Sequence, residues 1–179
     1  MSNQNTNLQE YPILAIASAI SAGDKQVTEE IKKCLEDTES YFQEHAERFE
    51  ERGVDDLEDV EDIEEIQWLA MVDALEENGY VCERDWDDEL EDFLHFLGHL
   101  KGVSYNGLSI EDDWFDEGEG ITEWCTVLDE KWEAAVFCVA AIDIDSDSYV
   151  LFPCAGDQLD ELSELAESVE CRIDLGQNM

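Results

Sequence analysis

Positive charge is what this chain most lacks: nine Lys and Arg stand against 49 Asp and Glu in 179 residues, a formal net charge of −40. So few cations leave nothing to grip phosphate, which argues against direct nucleic-acid binding and against phosphorylated substrates without a neutralising metal. An anionic membrane surface would repel it as well. Proline is scarce, with two residues, and no Pro- or Ser-rich linker or internal repeat divides the chain. No Cys-x-x-Cys pair occurs among the six cysteines, so they read as reduced, buried thiols. The apolar stretch Ile13 to Ala22 is too short to span a bilayer, and the opening Met-Ser-Asn-Gln-Asn has no basic segment of the secretory kind. A cytoplasmic protein is expected.

Chemistry-bearing motifs are equally sparse. There is no Gly-x-Ser-x-Gly elbow, phosphate-cradling Gly-rich loop or dinucleotide fingerprint. Asp143, Asp145 and Asp147 begin like a calcium loop, but Ser148 replaces the turn Gly and Cys154 the bidentate Glu. A hairpin turn is the plainer reading, with weak cation binding the alternative. His95 and His99 lie one helical turn apart, with Asp92 nearby, yet no metal motif surrounds them. No cofactor is implied.

What the chain has is a core. Forty-four per cent of its residues are hydrophobic and five are Trp, too many for a disordered acidic tail. The pattern predicts a first helix over Leu8–Ala22, stopped at Gly23. A long helix follows, with Val27, Ile31, Cys34, Phe42 and Phe49 on one stripe and Gly53 at its end. A third helix should climb from the acidic ramp at Asp55 through Leu75 to Asn78-Gly79. Tyr80–Cys82 reads as a strand, Asp87–Leu100 as a helix, Val103–Gly120 as an irregular insertion and Trp124–Glu133 as a further helix. Ala134–Ile144 and Tyr149–Cys154 read as strands around an Asp-Ser-Asp-Ser turn; a helix from Asp157 and a strand over Cys171–Leu175 close the chain.

From Tyr80 onward this is strand, helix, strand, strand, helix, strand. The expected class is α+β, a ferredoxin-like split βαβ sheet with an insertion after its first helix. Residues 1–78 would form a helical layer on the 79–179 unit, making one domain.

The charge is clustered. Glu50 to Asp92 carries 20 acids and 2 bases, Glu111 to Glu133 carries 10 acids and one Lys, and Phe93 to Ile110 carries no acid. Clustering suits a recognition face, with Trp as anchors and carboxylates as steering charge. Trp68, Trp124 and Trp132 are read as core. The candidate partner-binding residues are Asp55, Asp56, Glu58, Asp59, Glu61, Asp62, Glu64 and Glu65 in the ramp. Trp86, Asp87 and Asp88 come after it, then Asp112, Asp113, Trp114, Phe115 and Asp116.

The expected function is a non-enzymatic binding protein, immunity- or inhibitor-like, or a nucleic-acid mimic. It would neutralise a basic partner such as a toxin, a nuclease or another nucleic-acid-binding protein. A housekeeping domain with a surface adapted to high salt is the alternative, and a metal-dependent hydrolase built on Asp and Glu a third. Trp68-Leu69-Ala70, Asn78-Gly79-Tyr80, Asp85-Trp86 and Asp145-Ser146-Asp147-Ser148-Tyr149 together resemble a family of uncharacterised bacterial domains over roughly 65–175. Where that group has Lys after the Asp-Trp pair, this chain has Asp87. The resemblance implies an α+β domain and carries no catalytic residue.

Overall fold

A computed structural model describes residues 11–179. Two compact units arise, one ending at Ala74 and the other running Leu75–Met179. The division falls inside a single helix.

The first unit is helical: α1 Pro12–Ile20, α2 Lys25–Glu36, α3 Thr38–Glu44, α4 Ala46–Glu51 and the start of α5 Ile63–Glu77. The predicted start of α1 at Leu8 lies outside the described residues. The long helix expected from Val27 to Phe49 is three helices instead, because side chains compete with the backbone ladder at two points. Asp37 leaves helical geometry (φ −151°), and its carboxylate accepts the Ser40 N–H at 3.0 Å. His45 breaks the run again at φ −118°. The apolar stripe survives the breaks: Val27, Ile31, Cys34, Phe42 and Phe49 are all buried. Gly53 then turns the chain at φ +84°, where a side chain would be strained. The ramp also departs from expectation. Residues Leu57–Asp59 form a 3-10 turn closed by an Asp56–Asp59 capping box, and α5 starts only at Ile63. From Ile66 to Leu75, α5 buries every residue except Gln67.

The second unit is α+β. Its strands are β1 Cys82–Asp85, β2 Phe137–Ile142, β3 Ser148–Ala155 and β4 Ile173–Leu175, in the order β1-β3-β2-β4. All neighbours are antiparallel. Between β1 and β2 run α6 Leu90–Gly98, α7 Lys101–Tyr105 and α8 Ile121–Trp132, and α9 Gly156–Glu167 joins β3 to β4. The expected strand–helix order therefore holds, and so does the split βαβ, with β3 inserted between β1 and β2. The full ferredoxin arrangement does not form, because it would set β4 against β1, whereas here β4 pairs with β2 through Ala140–Leu175 and Ile142–Ile173.

That single change dictates the layering. Both crossovers advance toward the same edge of the sheet but leave from strands pointing in opposite directions. Right-handed connections then place their helices on opposite faces. Accordingly Val139, Ala141 and Leu151 share a core with Phe93, Leu97, Trp124, Leu128 and Trp132 from α6 and α8, and no residue of α9 joins it. On the other face, Ser163 of α9 donates to the Ile173 carbonyl at 2.6 Å.

Two details fix the edges. In β2 the Val139 N–H lies beyond the end of β4, and the Asp129 carboxylate of α8 accepts it at 2.7 Å. In β3, Pro153 falls past the end of β1, where the N–H it lacks has no strand to meet. Helix α7 crosses at this point: a Cβ on Gly102 would stand 2.6 Å from Pro153 Cγ.

Candidate partner-binding site

The β2–β3 hairpin builds the rim of a cleft of about 200 Å³ at the end of the sheet, lined by Trp86, Ile142, Asp143, Asp147, Tyr149 and Arg172 among others. The sequence explains the hairpin. Asp143 accepts the Asp145 N–H at 2.9 Å, Asp145 takes positive φ (53°), and the Ser146 hydroxyl accepts the Ser148 N–H at 3.1 Å. The alternating Asp and Ser side chains thus make a turn. Among the described residues no three His, Cys, Asp or Glu side chains gather in an arrangement fit for a metal.

Trp86 is the first residue after β1, and its N–H donates to the Asp147 carbonyl at 3.1 Å, fixing it to the hairpin. Its side chain is 63% exposed, flanked by the exposed Asp85 and Asp87. An exposed indole among carboxylates offers an apolar face that a cation can stack on while its charge is met at the side. Arg172, which also lines the cleft, is held by the Asp174 carboxylate at 2.8 Å and the Asn178 carbonyl at 2.9 Å. Spacing along the chain carries no signal for it: 86 residues separate it from Trp86, and only the sheet order brings them to one cleft.

The remaining candidates separate by unit. In the first, Asp55, Asp56, Glu58, Asp59, Glu61, Asp62, Glu64 and Glu65 are all exposed. In the second, Asp87, Asp112, Asp113 and Asp116 are exposed, but Asp88 is half-buried and receives both arms of Arg84 at 2.7 and 2.9 Å. Arg84 also lies 4.0 Å from the centre of the Phe96 ring.

Trp114 and Phe115 are not free anchors either. Both are half-buried against the α6–α8 core; Phe115 meets Phe93 edge-on at 6.4 Å, and the Lys131 ammonium lies 4.9 Å from the Trp114 ring centre. Trp68, Trp124 and Trp132 are buried, as their apolar neighbours predict, and the Trp124 indole donates to the Asp116 carbonyl at 2.8 Å.

The scarce cations are largely engaged within the protein. Arg52 binds Asp73, Arg84 binds Asp88, Arg172 binds Asp174, and the Lys101 and Lys131 ammonium groups lie over Tyr80 and Trp114. The field that reaches solvent is correspondingly negative. The rings of His95 in α6 and His99 just after it meet at a 45° tilt with centres 4.4 Å apart, and both residues are exposed. Asp129 is a carboxylate that no motif singles out. Burial pushes its carboxyl up, offset by the Val139 N–H and the Gln177 amide, and its partners make it a structural clasp between α8 and β2.

An antiparallel sheet covered on both faces by helices, with a shallow cleft at the hairpin end and a densely acidic exterior, defines an α+β domain with a candidate binding corner. The chain belongs to the family described as a domain of unknown function, DUF6630, whose model matches residues 12–176. The match takes in α1 to α5, so the family extends well N-terminal of the roughly 65–175 that carry the recognisable short motifs. No curated protein matches the chain, and no solved structure does. Among the described residues no helix is long and apolar enough to cross a membrane.

Proposed function

We propose that this protein is a non-enzymatic acidic binding protein that docks a basic protein partner, with Trp86 as the apolar anchor and surrounding carboxylates as the steering charge. The observation that carries the reading is the 63% exposure of Trp86 beside the cleft, between Asp85 and Asp87. An exposed indole is the side chain most enriched among the residues that carry binding energy at interfaces, and the net charge of −40 favours a cationic partner for it. Long-range attraction accelerates encounter with a cationic surface, and burial of the indole slows release. Partners of this chemistry include basic toxins, nucleases and other nucleic-acid-binding proteins. An immunity or inhibitor role follows if docking covers the partner's phosphate-binding surface, the carboxylates standing where phosphates would. A cytoplasmic, bacterial setting accords with such a role.

The test is titration of the full chain with an arginine-rich peptide, monitored by tryptophan emission at low and moderate salt. The expected result is a quench that weakens with salt, and a loss of about 2 kcal/mol, roughly 30-fold in affinity, in Trp86→Ala. Equal affinity for the Trp86→Ala variant and the native protein would remove the anchor and with it the proposal.

One observation favours a second reading. Asp157, Asp160, Glu161, Glu164 and Glu167 along α9 are also exposed or half-exposed, far from either acidic segment in sequence. A surface solvated in concentrated salt would carry acids there too. That reading expects molar salt to raise the unfolding temperature while the peptide shows no preference for Trp86.

A further inference from the structure

Two of the six cysteines face each other. Cys138 of β2 and Cys154 of β3 are direct register partners, on the face of the sheet that carries α9. The Gly156 N–H donates to the Val136 carbonyl at 2.9 Å, two residues further along the same ladder, which makes Cys138–Cys154 a hydrogen-bonded pair. The Cα atoms of such a pair stand about 5.5 Å apart, inside the range a disulfide spans. The Cβ spacing of such a pair, about 5.5 Å, is well over an ångström longer than a relaxed bridge prefers, so closure would pull the strands together and leave a strained, reducible bond. The Cys138 sulfur lies 3.5 Å from the Cys154 carbonyl. Cys138 is half-buried, whereas Cys154 is buried.

We propose that Cys138 and Cys154 form a reversible dithiol site that reacts with low-molecular-weight disulfides, Cys138 attacking and Cys154 resolving. The chemistry balances. The Cys138 thiolate attacks one sulfur of the external disulfide; a mixed S–S bond forms, the external S–S bond breaks, and one small thiolate leaves. Cys154, deprotonated in turn, attacks the Cys138 sulfur and expels the second small thiolate. Two protein thiols are oxidised, one disulfide is reduced to two thiols, and the two protons pass to the leaving thiolates.

The division of labour comes from the surroundings. The neighbouring Cys154 holds the Cys138 thiol below the usual range, whereas Cys138 and burial push Cys154 up. Cys138 is also the more accessible of the two, being half-buried where Cys154 is buried. The other thiols have no such arrangement. Burial pushes Cys34 and Cys82 up to about 12, and Cys125 well up. Cys171 is half-buried, in the turn between α9 and β4. The site is independent of the binding corner, so either can fail without the other.

The experiment incubates the folded full chain with oxidised glutathione, then counts thiols and maps disulfide peptides by mass spectrometry. Expected is the loss of two thiols, a Cys138–Cys154 cross-linked peptide, and full recovery with dithiothreitol. Cys154→Ser should stop at one glutathione on Cys138, and Cys138→Ser should leave Cys154 unmodified. A native protein that keeps both thiols while Cys171 takes up glutathione would overturn the proposal. A bridge mapped to any other pair would do so as well. Mapping of the native chain decides the matter even if a serine variant folds poorly.

Discussion

Asp85-Trp86-Asp87 and Asp113-Trp114-Phe115-Asp116 are nearly alike in sequence, an indole set among carboxylates, yet the structure treats them oppositely. Trp86 stands 63% exposed at the end of an edge strand. Trp114 lies half-buried, with the Lys131 ammonium over its ring and Phe115 beside it against Phe93. The difference lies in the residues just C-terminal to each indole. After Trp86 come Asp87, Asp88 and Glu89, all of which seek water or Arg84; after Trp114 comes Phe115, which reaches the core and pulls the turn in. Composition within a window thus says little about a Trp. The next apolar side chain decides whether it is an anchor or a lid.

Breaking the inward loop should have the largest effect on stability. Phe115→Ala removes an aromatic contact with Phe93 and should cost about 2–3 kcal/mol, read as a lower midpoint in urea unfolding. Trp114→Ala, which loses partial burial and the Lys131 contact, should cost about 1–2 kcal/mol. Lys131→Ala sharpens the comparison: about 0.5–1 kcal/mol is expected, and a double-mutant cycle with Trp114→Ala should return most of it as coupling. Trp86→Ala should move stability by less than about 0.5 kcal/mol, its effect appearing in binding alone. A large destabilisation by Trp86→Ala would mean that the two loops are alike after all.

Asp129 extends the contrast to carboxylates. Its folded pKa is raised by burial, so its contribution to stability is full below the unfolded value of 3.8 and is lost as pH rises through the folded value. Relative to Asp129→Asn, the native protein should lose stability over that window, measured as the difference between two unfolding series against pH.

Much of the second unit was legible because its signals are local. The apolar run ending at Ile142, the Asp-Ser turn and the periodic leucines of α9 each specify an element within a dozen residues. The strand expected over Tyr80–Cys82 forms at Cys82–Asp85 instead, for a physical reason. Tyr80 and Val81 are buried before the strand begins, while Glu83, Arg84 and Asp85 form an edge strand whose charges conceal it. The breaks at Asp37 and His45 were hidden because the apolar stripe continues through them. The edge chosen by β4 had no sequence signal at all: it rests on pairings such as the Asp143 N–H to the Arg172 carbonyl at 3.0 Å, made across 29 residues. The cleft depends on that choice, since Arg172 arrives with β4, and so its full lining could not be read from motifs.

Where Pro153 meets Gly102, the flank of β3 beyond Cys82 is stoppered twice, by a missing donor and by a helix laid against it. A foreign segment seeking to zip onto the sheet there would find no ladder to climb. On that flank another chain can be met by side chains only, and a Gly102→Ala change, by prising the helix off the proline, would remove one of the two stoppers while the missing donor of Pro153 kept the other.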